Sequence, residues 1–119
     1  MVGELRSVVI DCPDPRGLAG FYGELLGRSV VYDSDDWVTL GGGPGQSRVA
    51  FQLAPDLLEP RWPDPERPQQ VHLDVTVEDI EEAEPKVLAL GATRLSGGGK
   101  DFRVYADPAG HPFCLCWDN

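Results

Sequence analysis

One pattern occurs twice along this chain, and it constrains the fold more than any other feature of the sequence. In the segments Ser7–Asp14 and His72–Asp79, apolar and polar residues alternate and then reach an aspartate that can cap a helix. Each helix that follows ends at a glycine, Gly27 in the first copy and Gly91 in the second. Three short strand patterns come after each helix. The repeat therefore predicts an α+β fold made of two tandem βαβββ units.

The first copy carries a sequence signal for each of its elements. Residues alternate over Arg6–Cys12, which predicts a strand with one apolar face. Asp14 and Pro15 are typical of a helix N-cap and first turn, and apolar residues follow at helical spacing as far as Gly27. The other predicted strands of this copy are Ser29–Tyr32, Trp37–Leu40 and Arg48–Leu53.

The second copy repeats this order. The segment Val71–Val77 alternates strictly, and Asp79 can cap a helix that ends at Gly91. Pro85 lies inside this helix and lacks the N–H of a helical hydrogen bond. The sequence therefore predicts that the helix is kinked there or divided into two short pieces. The other predicted strands are Ala92–Leu95, Phe102–Ala106 and Phe113–Trp117.

The length of 119 residues is typical of one domain, so residues 1–119 are predicted to form a single domain. Unit one is expected at about residues 5–54 and unit two at about residues 71–118. A proline-rich, extended connector is expected between them, at about residues 55–70. Trp62 stands in this connector, where it either anchors the connector to the body of the protein or covers a ligand site.

Charge and cysteine content argue against several classes of function. Acidic residues outnumber basic ones 20 to 10, and the net charge of −10 argues against nucleic-acid partners and against anionic membrane surfaces. It mildly favours neutral or cationic partners. The 3 cysteines are an odd number and predict no disulfide framework. Because the sequence also shows no targeting segment and no membrane-spanning run, a cytoplasmic location is expected.

Alternation also assigns residues to the two faces of the predicted strands. One face of each unit is apolar and is expected under its own helix, so the opposite faces are expected to meet in a paired half-barrel cleft. The mixed lining of that cleft suits a small organic molecule whose orientation is fixed by a few polar groups. The residues predicted to face the cleft are Ser7, Val9, Asp11, Arg48, Ala50, Gln52, His72, Asp74, Thr76, Cys114 and Cys116.

Several motifs occur in an order that is typical of one known group of proteins. They are the run Asp14–Gly27, the segment Val49–Leu53, the connector with Trp62, the segment His72–Asp74 and the run Asp107–Cys116. In this order they resemble the vicinal oxygen chelate superfamily, which includes glyoxalase I, bleomycin-resistance proteins and extradiol dioxygenases. The chain is most similar to the small glyoxalase-like branch of actinobacteria. The resemblance implies the paired βαβββ fold.

The resemblance also implies where a metal would bind. Metal-dependent members carry His, Glu, His and Glu on the first and fourth strands of the two units, and these positions correspond to Ser7, Gln52, His72 and Cys114. Only His72 keeps the family residue. Neutral Ser7 and Gln52 are weak donors for nickel, magnesium or iron, and the general base of glyoxalase chemistry is missing. No metal or other cofactor is therefore expected; if a divalent metal binds, its expected ligands are His72, Gln52 and Cys114.

His72 and its predicted neighbours have more than one interpretation. His72 either hydrogen-bonds within the sheet to Asp74 or Gln52, contacts a ligand, or coordinates a metal. Cys114 is either an inert buried thiol or a nucleophile activated by the imidazole. Arg48 either pairs with an acidic side chain or binds a ligand carboxylate. The sequence leaves these alternatives open.

The leading prediction is a glyoxalase-like protein that binds a small organic molecule without a metal and sequesters a natural product or antibiotic. One alternative is a divalent-metal-dependent lyase, isomerase or dioxygenase centred on His72, and another is an accessory domain that binds a protein partner. A homodimer is also expected, because a chain of this size has a modest core. No catalytic residue is assigned, and the predicted ligand-binding residues are His72, Gln52, Asp74, Cys114, Ser7, Arg48 and Trp62.

Overall fold

The computed structural model describes residues 1–117, and the predicted end of unit two at residue 118 lies outside the described residues. The chain divides into two compact units, Met1–Leu57 and Leu58–Asn119. Within residues 1–117, each unit contains one helix and one four-stranded sheet. The predicted α+β fold of two tandem βαβββ units is confirmed.

Unit one follows the predicted order of elements. Its sheet has the strand order β1-β4-β3-β2, with β1 and β4 parallel and the other pairs antiparallel. The parallel pair is possible because a helix and two further strands connect β1 to β4. The elements are β1 (Ser7–Cys12), α1 (Pro15–Leu26), β2 (Val30–Asp33), β3 (Trp37–Leu40) and β4 (Arg48–Leu53).

The first helix begins and ends where the sequence predicts. The Asp14 carboxylate accepts a hydrogen bond from the backbone N–H of Gly17 at 3.1 Å, and Pro15 occupies the first turn. Gly27 ends the helix with a φ of 65°, a left-handed conformation that glycine adopts without a steric penalty. On its buried side, Tyr22 stacks on Phe51 of β4 with ring centroids 5.6 Å apart. This contact fixes the helix-facing side of the unit-one sheet.

Unit two repeats the same topology. Its sheet order is β5-β8-β7-β6, again with the outer pair β5 and β8 parallel and the remaining pairs antiparallel. Two strands are shorter than predicted: β5 begins after His72, and β6 has only two residues. The elements are β5 (Leu73–Thr76), α2 (Ile80–Leu90), β6 (Thr93–Arg94), β7 (Phe102–Ala106) and β8 (Pro112–Cys116).

Helix α2 is continuous through Pro85, so of the two predicted outcomes, a kink or a division into two short pieces, the division is wrong. Helix α2 runs through Pro85 from its cap at Asp79, whose carboxylate accepts hydrogen bonds from the N–H groups of Glu81 and Glu82. The carbonyl that loses its helical donor is that of Glu81, on an exposed turn where water can replace the missing bond.

Tertiary contacts hold the middle of this helix to the sheet. The Glu84 carboxylate accepts hydrogen bonds from the buried Tyr105 hydroxyl at 2.7 Å and from Arg94 at 2.8 Å. Arg103 approaches its other oxygen at 3.2 Å. Val87 is buried one turn further on. These contacts on both sides of Pro85 offset the local cost of the proline.

Most of the proline-rich segment belongs to unit two. Residues from Leu58 onward group with that unit, and the Gln70 side-chain amide donates a hydrogen bond to the Leu58 carbonyl at 3.2 Å. Arg67 donates another to the Glu59 carbonyl at 3.3 Å. The segment contains no helix or strand, as its prolines predict. None of the helices in residues 1–117 has the length and apolar character needed to span a bilayer.

Candidate functional site

The candidate site lies on one face of the unit-two sheet. Strand β5 pairs with β8 so that Asp74 lies beside Cys114, and β7 pairs with β8 so that Val104 lies on its other side. Residues paired in this way share one face of a sheet. Phe113 alternates to the opposite face, where it is fully buried and stacks on Tyr105 beneath α2. The Cys114 face is therefore the one that α2 leaves uncovered.

Three chemically active side chains converge on this face. The Nε2 atom of His72 lies 3.1 Å from the Cys114 Sγ and 3.0 Å from the Asp74 Oδ1. Their ligand atoms all lie within 4.8 Å of one another. The side chains of His72 and Asp74 are 40% and 69% exposed, whereas Cys114 is buried. The cluster thus has a buried thiol at its base and two exposed side chains at its rim.

Both contacts of His72 are made by the same ring nitrogen, so the three side chains are not arranged as a Cys–His–Asp relay. Such a relay needs the thiol on one imidazole nitrogen and the carboxylate on the other. Here Nε2 forms a hydrogen bond with the Cys114 Sγ, in which the donor depends on the tautomer of the imidazole, and the Asp74 carboxylate approaches the same nitrogen at 3.0 Å. The arrangement brings an imidazole, a thiol and a carboxylate together without the geometry of a catalytic triad.

The ionisation of the thiols agrees with that geometry. Burial, together with the nearby Asp74 carboxylate, raises the pKa of Cys114 to about 11. The pKa of Cys116, on the same face, is also raised, mainly by burial. Cys114 is therefore a neutral thiol near pH 7, and the hypothesis of a thiolate nucleophile receives no support. Asp74 lies within ion-pair distance of His72, and the hydrogen bond of the His72 ring is to the Cys114 sulfur.

A wide groove lies above the cluster. Its volume is about 450 Å³, and it combines acidic with apolar walls. The carboxylates of Asp74 and Asp101 and the sulfurs of the two cysteines provide the polar part, and the Phe102 ring provides an aromatic wall. The groove is lined by His72, Asp74, Asp101, Phe102, Cys114 and Cys116.

A smaller and more apolar cavity adjoins the groove. Its volume is about 110 Å³, and it shares His72, Phe102 and Cys114 with the groove. Trp62 from the proline-rich segment lines it, together with Gln69, Val104 and Pro112. Trp62 is 39% exposed, so it lies at the surface of this cavity and is partly open to solvent. We call the two spaces the outer groove and the inner cavity.

The predicted site residues fall into two groups. His72, Asp74, Cys114 and Trp62 all belong to unit two and line the outer groove, the inner cavity or both. Ser7, Arg48 and Gln52 belong to unit one, where Ser7 lies beside Arg48 and Gln52 lies beside Asp11 in the parallel pairing of β1 with β4. Arg48 also lines a separate hollow of about 530 Å³ with Arg6. A single cavity that combines both groups stays a prediction.

Sequence reasoning missed two important residues of the groove, Phe102 and Asp101. Phe102 was assigned to a strand, and alternation within that strand places it on the face of Val104, opposite Tyr105. Alternation along this strand is therefore a sequence signal that identifies Phe102. Asp101 follows a glycine-rich loop with no periodicity, so no comparable signal exists for it.

Comparison with known proteins identifies the family. A model of the glyoxalase-like domain matches residues 7–116, from the first residue of β1 to the last residue of β8. This chain belongs to the glyoxalase-like domain family. The match and the structural similarities below place it in the vicinal oxygen chelate superfamily. The similarity to an actinobacterial branch stays a prediction. None of the curated proteins matches the chain significantly.

Solved structures with similar folds span almost the whole glyoxalase-like domain. A glyoxalase/bleomycin resistance protein/dioxygenase family enzyme from Burkholderia phytofirmans PsJN aligns with a TM-score of 0.77 at 17% identity, covering 97% of this chain and 98% of that one. A glyoxalase family protein from Enterococcus faecalis aligns with a TM-score of 0.69 at 22% identity, covering 97% and 98%. A glyoxalase-related enzyme from Fulvimarina pelagi aligns with a TM-score of 0.69 at 18% identity, covering 98% of this chain and 89% of that one. At these identities the similarity establishes the fold alone.

The four family ligand positions do not fit the hard divalent metals of this superfamily. In this glyoxalase-like domain, Ser7 offers a neutral hydroxyl and Gln52 a neutral amide, and neither supplies the charge of a carboxylate. Cys114 replaces the second glutamate with a soft sulfur donor. Within the described residues, the only group of three or more histidine, cysteine, aspartate or glutamate side chains that could hold a metal is His72, Asp74 and Cys114, and the expected role of Gln52 stays a prediction.

Proposed function

We propose that this glyoxalase-like domain binds a small organic cation, an amine with an apolar substituent, between the outer groove and the inner cavity. The observation that carries the proposal is the shared wall of His72, Phe102 and Cys114, which joins an acidic space to an apolar one. Binding needs no metal in this proposal, and its biological role is to sequester a natural product or antibiotic. The cytoplasmic location is proposed with it, supported by three cysteines that are all free.

The outer groove supports the cationic part of the ligand. The carboxylates of Asp74 and Asp101 both line it, and no lysine or arginine is among its lining residues. A protonated amine can donate charge-assisted hydrogen bonds to either carboxylate. Asp74 is the more specific partner, because its contact with the His72 Nε2 at 3.0 Å fixes one of its oxygens. The net charge of −10 also raises the local concentration of cations around the protein.

The inner cavity supports the apolar part of the ligand. Its volume of about 110 Å³ is of the order of a branched alkyl group or a single ring. Trp62 and Phe102 offer aromatic surface on two sides, and aromatic walls attract both flat apolar groups and neighbouring cations. The ligand class is therefore a compact amine such as a benzylamine, with its ammonium group in the outer groove.

The donor set favours a binding role over glyoxalase-type catalysis. The base of that chemistry is a glutamate in the superfamily, and the corresponding positions in this chain are Gln52 and Cys114. An amide cannot accept a proton near pH 7, and the thiol of Cys114 has its pKa raised to about 11. Neither residue can serve as a general base for a carbon acid. The site is therefore better suited to holding a molecule than to transforming it.

The test is direct titration with benzylamine, followed by the fluorescence of Trp62. Trp37→Phe and Trp117→Phe in one variant leave Trp62 as the only indole. Benzylamine is expected to change this fluorescence saturably, whereas benzyl alcohol and benzoate at equal concentration are not. Asp74→Asn is expected to weaken binding by about 10- to 100-fold, because it removes the negative charge that pairs with the ammonium group. Glu82→Gln, an equal change of charge on the exposed side of α2, is the matched control.

Two results would overturn the proposal. One is equal binding of benzylamine, benzyl alcohol and benzoate, because the acidic groove then has no role. The other is equal weakening by Asp74→Asn and Glu82→Gln, because net charge alone would then explain the binding. Turnover of an aldehyde or catechol substrate that requires His72 would instead favour a lyase or dioxygenase. Absence of binding with capture of a specific protein would favour an accessory domain.

We also propose that the chain is a homodimer. The exposed apolar residues Val30, Val31 and Tyr32 stand together on β2, which is an edge strand of the unit-one sheet. An apolar edge of this kind is normally covered. Light scattering at micromolar concentration is expected to give twice the chain mass of 13.0 kDa, and a value near 13.0 kDa would exclude the dimer.

A further inference from the structure

We propose that Arg6, Arg48 and Gln46 form a binding site for a small phosphate monoester within unit one. The site is a hollow of about 530 Å³ with mostly polar walls. It is lined by Glu4, Leu5, Arg6, Gln46 and Arg48, all of which belong to unit one. The proposal does not rest on the amine-binding function, because the residues proposed for that function belong to unit two.

The two arginine side chains of this hollow have no acidic partner in the part of the chain that the structure describes. Acidic residues outnumber basic ones 20 to 10, and exposed arginines elsewhere, such as Arg16, do pair with carboxylates. Within residues 1–117, the guanidinium groups of Arg6 and Arg48 form neither an ion pair nor a hydrogen bond. Glu4 lines the same hollow but pairs with neither arginine. Of the two interpretations of Arg48 that the sequence leaves open, these contacts favour the binding of an anionic ligand.

The backbone brings the two arginines together at one end of the unit-one sheet. Arg48 is the first residue of β4, and Arg6 directly precedes the parallel strand β1. The backbone N–H of Arg48 donates a hydrogen bond to the Arg6 carbonyl at 2.9 Å. The Ser47 hydroxyl donates another to the Leu5 carbonyl at 3.3 Å. Two like charges are therefore held on neighbouring chain segments, where a dianion would neutralise both.

Gln46 supplies a third hydrogen-bond donor to the hollow. Its side-chain Oε1 accepts hydrogen bonds from the backbone N–H of Gly43 at 3.0 Å and from the Arg28 guanidinium at 3.3 Å. Its backbone N–H donates to the Gly43 carbonyl at 2.9 Å and closes a turn with Pro44 and Gly45 at its centre, where Gly45 has a φ of 75°. These contacts fix the side-chain amide by its oxygen. The amide nitrogen has no acceptor within residues 1–117, so it can donate to a ligand oxygen.

The donor set selects a doubly charged oxyanion. A guanidinium group can donate two parallel hydrogen bonds to a phosphate, and a phosphate monoester carries nearly two negative charges at neutral pH. Two arginines and one amide therefore match its charge and its terminal oxygens. The hollow is larger than a phosphate group, so it also has room for the organic part of the ester, for which the exposed Leu5 offers apolar contact. A hydroxyl group on that part could donate a hydrogen bond to Glu4.

The experiment is a titration with phenyl phosphate followed by phosphorus NMR at pH 8, where the phosphate is doubly charged. We expect a saturable change that fits one site per chain. Arg6→Gln and Arg48→Gln are each expected to weaken binding by at least about tenfold, because each removes a charged hydrogen-bond donor. Arg61→Gln is the matched control, since Arg61 is exposed in unit two and has no ion pair within residues 1–117. It is expected to change the dissociation constant by less than about twofold.

Two further measurements test the donors and the charge of the ligand. Gln46→Glu keeps an oxygen for Gly43 and Arg28 but replaces the amide donor with a second carboxylate oxygen, so it is expected to abolish binding. Phenyl sulfate has a similar shape and a single charge, and it is expected to bind at least about tenfold more weakly than phenyl phosphate. Circular dichroism confirms that each variant is folded. In the unchanged protein, the NMR signals of the Arg6 and Arg48 Nε–H groups are expected to shift on binding, and this test does not depend on any variant.

Several results would overturn the phosphate site. They are the absence of a saturable change at millimolar phenyl phosphate, equal weakening by Arg48→Gln and Arg61→Gln, and equal binding of phenyl sulfate and phenyl phosphate. Asp74→Asn, which is expected to weaken benzylamine binding, is not expected to weaken phenyl phosphate binding. Loss of phenyl phosphate binding in folded Asp74→Asn would overturn a site built within unit one alone. Binding of phenyl phosphate without any binding of benzylamine would support the phosphate site and refute only the proposed function.

Discussion

Removing the hydroxyl group of Tyr105 is expected to destabilise the protein by about 1.5 kcal/mol. Tyr105 is completely buried, and its hydroxyl donates a hydrogen bond of 2.7 Å to the Glu84 carboxylate on α2. This bond joins the helix to the centre of the unit-two sheet at the turn that contains Pro85. Tyr105→Phe deletes it and leaves the ring stacked on Phe113 at 5.5 Å.

The expected loss of stability depends on the partners that the Glu84 carboxylate keeps in the variant. A hydrogen bond to a charged group contributes about 1.5–3 kcal/mol to stability. The lower end applies here, because in the variant the Glu84 carboxylate still has Arg94 at 2.8 Å and Arg103 at 3.2 Å. It is also 22% exposed, so water can reach the position vacated by the hydroxyl. The carboxylate is therefore not left buried without a partner.

The assay is urea unfolding followed by circular dichroism. Tyr32→Phe is the matched control, because Tyr32 is 56% exposed on β2 and its change is expected to cost less than about 0.5 kcal/mol. Combining Tyr105→Phe with Glu84→Gln should give less than the sum of the two single effects, since both remove the same contact. A loss below about 0.5 kcal/mol for Tyr105→Phe, or strict additivity of the two changes, would refute the reasoning.

Three further predictions concern pH, thiol reactivity and the helix. The Tyr105 hydroxyl and two arginines hold the pKa of Glu84 below its usual 4.5. The ionised Glu84 carboxylate therefore stabilises the folded protein above pH 4.5, and this stabilisation is lost as the pH falls through the lowered pKa. The urea midpoint should accordingly fall less on acidification in Glu84→Gln than in the unchanged protein. Because its pKa is raised to about 11, Cys114 should react with iodoacetamide at pH 8 more slowly in the folded than in the unfolded protein. Mass spectrometry measures the labelling, and faster labelling of the folded protein would contradict this prediction. Pro85→Ala should raise the free energy of unfolding by about 1–3 kcal/mol in urea titrations, because it restores a helical hydrogen bond on an exposed turn; an unchanged midpoint would contradict this.

The fold could be predicted from the sequence because its signals are local and occur twice. Asp14 and Asp79 cap the two helices, and Gly27 and Gly91 end them, as the repeat indicates. Alternation located most strands to within one or two residues. The division of the helix at Pro85 was a wrong prediction because a propensity rule describes the helix alone, whereas the contacts of α2 with the sheet are made by residues distant in sequence.

The candidate site could be predicted only in part. Alternation placed His72 and Asp74 on one face, and their contact is observed. The position of Cys114 beside Asp74 depends on the register between β5 and β8, which a single sequence does not contain. The resemblance assigns Gln52 of unit one to the same ligand set as Cys114 of unit two, and this assignment stays a prediction.

Unit one shows why the cluster belongs to unit two. The repeat that equates Ser7 with His72 also equates Val9 with Asp74. In the parallel pairing of the first unit, Val9 lies beside Ala50, just as Asp74 lies beside Cys114 in the second. The same backbone arrangement therefore carries Ser7, Val9 and Ala50 in one unit and an imidazole, a carboxylate and a thiol in the other. Because the scaffold is common to both units, the chemistry of the candidate site resides in three side chains and not in the fold.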